Sequence, residues 1–182
     1  MRDRKSIAVF GSSEAIPGEP LYEDARGVGR SLATAGYRVV TGGYSGVMEA
    51  ASRGAFEIGG PTLGVTSSIF HDRRPNPFLS EIVETPTLHD RTRTLIELAH
   101  GYVVFWGKSG TLAEAALVWA LKRAGSLEAR PVLVWGDAWA RLLGQLTAAG
   151  MLEERELRDT RIASSPDEVV EALAGMLSEG AR

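Results

Sequence analysis

Nine residues in the middle of the chain, Trp106-Gly107-Lys108-Ser109-Gly110-Thr111-Leu112-Ala113-Glu114, have the types and spacing needed to act on a phosphorylated ligand. The apolar run before them, Tyr102-Val103-Val104-Phe105, has strand length, and residues 112–123 after them have helical periodicity. A glycine-rich turn between a strand and a helix aims free backbone N–H groups past the helix N-terminus, where phosphate is the usual guest. Glu114 lies one helical turn further in, so a carboxylate can face the same guest.

A second glycine cluster, Gly42-Gly43-Tyr44-Ser45-Gly46, follows the apolar run at residues 37–41. It falls short of the dinucleotide fingerprint, because Thr41 stands where the first glycine belongs. The next strand also ends in Val65-Thr66-Ser67-Ser68, without the acid that would hold a ribose. Contact of Gly42, Gly43 and Gly46 with phosphate or ribose through backbone N–H groups is the reading kept. Gly107-Lys108-Ser109 fails as a P-loop: the position five residues before Gly107 is Tyr102, and apolar strand lies between. No Gly-x-Ser-x-Gly elbow occurs, and His71, His89 and His100 do not cluster, so no metal site is expected. His100, between a helix and a strand, is expected to cap or pack. Arg91 and Arg93 open a helix after Leu88-His89-Asp90, where cations oppose the macrodipole by about 0.3–1 kcal/mol. A functional burden explains them better than helix stability does.

These residues need a frame. Apolar runs at 7–10, 37–41, 62–66, 81–85, 102–105, 131–135 and 160–163 alternate with helical patterns. The helices are read from Leu21, Ala25, Val28 and Leu32, then from Gly46 to about Ile58, and from about Asp90 to Ala99. Three more follow at 112–123, 138–149 and 166–177, the last with Pro166 near its first position. The alternation predicts an α/β fold, a doubly wound, Rossmann-like parallel sheet flanked by helices, as a single domain over residues 1–182. A polar, proline-bearing segment at 71–77 separates the third and fourth strands, and no role is read for its Arg73-Arg74. Ligands in such sheets sit beyond the C-terminal strand ends, near the switch in strand order. The turns after strands one (Gly11-Ser12-Ser13), two and five meet at that edge as one crevice.

Composition narrows the partners. The 182 residues are 44% apolar and 24% charged, ordinary values for a globular chain, with net charge −3 and no cysteine. The slight acidity argues against a general nucleic-acid binder, and the missing cysteines exclude disulfides, thiolate nucleophiles and thiolate metal sites. The first strand begins by Ser6, and no apolar run approaches a bilayer span, so a cytoplasmic protein without membrane contact is expected.

From about Ser6 to Arg123 the chain resembles the LONELY GUY (LOG) family, phosphoribohydrolases of cytokinin riboside monophosphates that were long labelled lysine decarboxylases. The family's Gly-Gly-x-x-Gly-x-Met motif is similar to Gly42-Gly43-Tyr44-Ser45-Gly46-Val47-Met48, and its Pro-Gly-Gly-x-Gly-Thr-x-x-Glu motif to Trp106 through Glu114. Its catalytic arginine falls on Arg91, 23 residues before Glu114, the separation the family keeps. Trp106, Lys108 and Thr92 depart from the family's proline, glycine and lysine. Lys108 puts a cation where the family has bare backbone, able to reach a phosphate or to narrow the pocket. Gly46-Val47-Met48-Glu49-Ala50 also resembles a branch of the superfamily that includes molybdenum-cofactor carriers, which bind a phosphorylated pterin and catalyse nothing.

The resemblance implies hydrolysis of the N-glycosidic bond of a nucleoside 5′-monophosphate, giving free base and ribose 5-phosphate without a cofactor. The amides of Gly107, Lys108, Ser109, Gly110 and Thr111, with the Thr111 hydroxyl, would hold the 5′-phosphate. Glu114 would bind ribose hydroxyls and stabilise positive charge, or orient water. Arg91 would act on the departing base or on the phosphate. Gly42, Gly43 and Gly46 would close the other side, with Ser12 and Ser13 near the base. The alternative is a non-catalytic carrier of a phosphorylated cofactor such as molybdopterin, or of a nucleotide. A homodimer is also implied, with the helix at 112–121, carrying Trp119, either its interface or ordinary core.

Overall fold

Strict alternation in the first strand divides the fold into two cores. In β1 (Ser6–Phe10), Ile7 and Val9 join one buried cluster and Ala8 and Phe10 the other. The same two-residue period sorts β2 (Arg38–Thr41), with Val39 on one side and Val40 on the other. The computed structural model describes residues 4–127 and 130–179. Within them β3 (Thr62–Ser67), β4 (Glu81–Thr85), β5 (Gly101–Val104), β6 (Val132–Trp135) and β7 (Thr160–Ala163) complete one parallel sheet, ordered β4-β3-β2-β1-β5-β6-β7. Helices α1 (Pro20–Thr34), α2 (Val47–Phe56) and α6 (Pro166–Glu179) cover one face. The other is covered by α3 (Leu88–Leu98), α4 (Ser109–Arg123) and α5 (Asp137–Ala148). This is the expected Rossmann-like α/β architecture. None of the helices among the described residues is long and apolar enough to cross a membrane.

Strand order reverses between β1 and β5, whose register runs from Ile7 opposite Gly101 to Phe10 opposite Val104. The chain leaves β1 toward β2 and reaches β5 on β1's other side, so the loops after β1 and β5 diverge and open a crevice. The loop after β2 borders it. Helices α1 and α2 cross very closely because a Cβ on Gly29 would strike the Ala51 carbonyl, and one on Gly54 the Arg26 carbonyl. That crossing sets α2, and hence its N-terminus at Gly46, against the loop after β1.

Two helices start earlier than their apolar periodicity suggests. In α3 the Thr87 hydroxyl accepts from the Asp90 amide at 3.0 Å, an N-cap that begins the helix at Leu88 rather than near Asp90. In α4 the first i→i−4 bond runs from the Leu112 amide to the Lys108 carbonyl, which brings Ser109 into the helix. Trp119 on α4 is core: it is 1% exposed and its indole N–H donates to Thr160. Leu112 and Leu117 are the exposed leucines of that helix. His100, expected to cap or pack, caps a strand end: its exposed ring accepts the Ser6 amide at Nδ1. β3 and β4 are joined by residues 68–80 without a helix. Asn76 ties this segment to the loop after β2, its amide donating to the Gly43 carbonyl and its side chain to the Tyr44 carbonyl.

Candidate functional site

Arg91 projects from the first turn of α3 across the C-terminal ends of β2 and β3. The Thr87 cap and Asp90 make a cation tolerable at that helix start. Its Nε donates to the Val65 carbonyl at 2.9 Å and its Nη2 to the Gly42 carbonyl at 3.0 Å, with Met48 Sδ also within reach of Nη2. The guanidinium lies 5.6 Å from the Tyr44 ring and 6.0 Å from the Phe70 ring, on both of which it can act as a π-bound cation. Nη1 faces Glu114 Oε1 at 3.6 Å, an ion pair too long for a hydrogen bond. Neither group gives the other a hydrogen bond, so both can turn one toward a ligand.

Glu114 extends from the second turn of α4 into the same cleft, its side chain 15% exposed. Burial raises its carboxyl from 4.5 to about 7, against the opposing pull of Arg91. Burial likewise lowers the Arg91 guanidinium, while Glu114 favours its charge and Arg73 opposes it. A carboxyl poised near neutrality beside a fixed cation can exchange a proton or hold a charge at physiological pH.

These two groups floor a cavity of about 240 Å³. Gly110, Thr111 and Lys108 at the α4 N-terminus line one wall, and Ser12 and Ser13 of the loop after β1 another. The amides of Ser109, Gly110 and Thr111 precede the first i→i−4 bond of α4, and its first turn holds no acid, so this end attracts an anion. Lys108 also bridges the mouth, its Nζ 2.6 Å from Glu14 Oε1 in an exposed pair. Phe70, Met48, Tyr44 and Leu88 supply an apolar side suited to a planar ring.

The anticipated residues thus divide. Arg91, Glu114, Lys108, Gly110, Thr111, Ser12 and Ser13 line the cavity. Gly107, Ser109, Gly42, Gly43 and Gly46 stand behind that lining. Gly107 carries no Cβ because one would strike the Thr111 hydroxyl and come within 3.0 Å of the Ser12 amide. At Gly42 a Cβ would occupy the place of the Arg91 guanidinium. Gly43, at φ +79°, lies against β3, and Gly46, at φ +75°, against the backbone of Ser12 and Ser13. Trp106 turns away from the cleft to meet Trp139 edge-on, ring centroids 5.8 Å apart. The sequence reading missed Phe70 and Arg73, which both line the cavity. The available signal was the arginine pair in the proline-bearing segment, which the strand order delivers to the same rim.

The chain is 28% identical over 178 residues, covering 94% of both chains, to a cytokinin riboside 5′-monophosphate phosphoribohydrolase of Mycobacterium marinum. It is 31% identical over 117 residues to a pyrimidine/purine nucleotide 5′-monophosphate nucleosidase of Escherichia coli, covering 59% of this chain but 25% of that protein. Among solved structures, the molybdenum cofactor binding protein of Rippkaea orientalis superposes with a TM-score of 0.75 at 27% identity. That match covers 97% of this chain and 99% of that one. A family model matches residues 4–149, a span that includes the sheet through β6 and every residue named in the cleft. On that match the chain belongs to the SLOG cluster4 family.

Proposed function

We propose that this chain is a nucleoside 5′-monophosphate phosphoribohydrolase, hydrolysing the N-glycosidic bond to free base and ribose 5-phosphate. The observation that carries the reading is the buried Arg91–Glu114 pair, 3.6 Å apart beside an acid-free helix N-terminus. The amides of Ser109, Gly110 and Thr111, the Thr111 hydroxyl and Lys108 hold the 5′-phosphate, while Gly107 keeps the turn in shape. Glu114, as carboxylate, binds the ribose hydroxyls and stabilises the positive charge that develops as the bond to the base breaks. Water adds its hydroxyl to the sugar carbon and its proton reaches the departing base. Arg91 favours the ionised form of Glu114 through its charge and offers Nη1 to the leaving group. Gly42, Gly43 and Gly46 support Arg91 and the loop of Ser12 and Ser13 rather than touching the ligand. The activities of the relatives named above support this reading. It includes a cytoplasmic homodimer, for which the exposed Leu112 and Leu117 on α4 offer apolar surface.

The test is incubation with each ribonucleoside 5′-monophosphate, with chromatography of the bases and assay of ribose 5-phosphate. The expected result is equimolar release of both products, abolished in Glu114→Gln and in Arg91→Ala proteins that remain folded. A second reading, a non-catalytic carrier of a phosphorylated cofactor such as molybdopterin, draws on the likeness to the Rippkaea orientalis protein. Release of no base from any monophosphate, with tight binding of a phosphorylated pterin, decides for the carrier.

A further inference from the structure

Beyond Arg91 and Lys108, the cleft presents two further arginines, Arg73 and Arg74. Arg73 lies 4.8 Å above the Phe70 ring that Arg91 approaches at 6.0 Å, so two guanidinium groups share one aromatic surface. Glu114 is the one acid among the described residues lining the inner cavity. Beyond Arg73 the cleft continues into an outer recess of about 430 Å³, which shares Ser13, Tyr44 and Arg73 with the inner cavity and adds Arg74. The acid of that recess, Glu14, is engaged by Lys108 at 2.6 Å. Neither Arg73 nor Arg74 has a carboxylate within 4.0 Å among the described residues. Their segment is anchored just beyond them, where Asn76, 6% exposed, ties the backbone to the Gly43-Tyr44 turn through two hydrogen bonds.

We infer that Arg73 and Arg74 form a second anion subsite, so that the preferred ligand is a nucleotide bearing two separated anionic groups. One phosphate rests on the α4 N-terminus, and a second phosphate lies in the outer recess under the guanidinium forks, which match its oxygens in pairs. The inference rests on the proposed nucleotide reading and adds to it the class of nucleotide.

Equilibrium titration with adenosine 5′-monophosphate, adenosine 5′-diphosphate and adenosine 3′,5′-bisphosphate tests this. The full chain carries Glu114→Gln to stop turnover, with and without Arg73→Gln and Arg74→Gln. A doubly phosphorylated nucleotide is expected to bind about tenfold or more tighter than the monophosphate, the size of one charge-assisted contact. The advantage should vanish in the arginine variant. Which of the two nucleotides shows it identifies whether the second phosphate is carried on the 5′ or the 3′ side. Arg74→Gln alone, at an exposed position, gives the same readout at reduced size if the double exchange is unstable. Equal affinities for all three nucleotides, or an advantage that survives the exchanges, overturns the inference. Hydrolysis of adenosine 5′-monophosphate by the unaltered chain is scored separately. Turnover without a two-phosphate preference removes the subsite alone, and a preference without turnover removes the activity alone.

Discussion

Replacing Glu114 with glutamine is expected to stabilise the protein while abolishing turnover, and to do so in a pH-dependent way that the structure sets. The Glu114 side chain is 15% exposed, and burial moves its carboxyl from 4.5 to about 7 despite Arg91. Because the folded pKa lies above the unfolded one, the native state binds more protons than the unfolded chain between about pH 4.5 and 7. The stability contributed by the protonated group is therefore present below that window and lost as pH rises through it. At about 1.4 kcal/mol per tenfold change in proton affinity, the complete loss is about 3 kcal/mol. Water reaching the open side of the cleft makes this a ceiling. Glutamine mimics the neutral carboxyl and does not titrate. Urea unfolding should place the variant ahead of the parent by under about 1 kcal/mol at pH 5 and by about 2–3 kcal/mol at pH 8. An equal margin at both pH values refutes the reasoning, as does a variant less stable than its parent at pH 8. Either result means that the fold does not strain the ionised carboxylate.

The same carboxyl predicts that turnover rises with pH through about 7 and then levels, since the mechanism uses the ionised form; a rate that falls across this range reverses the role assigned to Glu114. Removing the opposing charge with Arg91→Met should move any residual profile to higher pH. Gly42→Ala places a Cβ in the space of the Arg91 guanidinium and 2.6 Å from Met48 Sδ. Displacing the guanidinium by about 1 Å is expected to cost about 100-fold in kcat, and overpacking about 1–3 kcal/mol by thermal melting. Asn76→Ala strips the side-chain bonds to the Tyr44 carbonyl and the Phe78 amide, and urea unfolding should show a loss of about 2 kcal/mol. KM for the nucleotide should rise with it as Arg73 loses its support.

Much of the fold was readable because its signals are local. The uninterrupted apolar run of Ile7 to Phe10 and the turn residues after each strand require no knowledge of distant partners. Helix starts were less legible. Thr87 reads as a cap once its bond to Asp90 is seen, whereas Lys108 at the head of α4 makes no side-chain cap and gives no sign in sequence. The side-by-side order of the strands rests on pairings such as Ser67 with Thr85, across a loop whose polar residues carry no periodicity.

The site divides along the same line. Arg91 and Glu114 were found by residue type and spacing, yet what fixes Arg91 is a pair of backbone carbonyls, at Val65 and Gly42, 26 and 49 residues away. Every residue carries a carbonyl, so no sequence pattern marks those two. The glycines carry a second reason for their identity that sequence does not show. A missing side chain reads as open backbone awaiting a ligand, but at Gly42 and Gly46 the protein itself fills the space, with a guanidinium at one and the Ser12-Ser13 backbone at the other. The unusual residues of the central turn then separate by direction. Trp106 packs on Trp139 outside the cleft, so the loss of the family's proline leaves the ligand surface untouched. Lys108 stays in the lining but spends its charge on Glu14 at the mouth, where a phosphate arriving at the α4 N-terminus can compete for it. Of the departures in this turn, Lys108 is therefore the one that reaches the cavity, at its entrance, while Thr92, the departure next to Arg91, lines the cavity beside the Arg91–Glu114 pair.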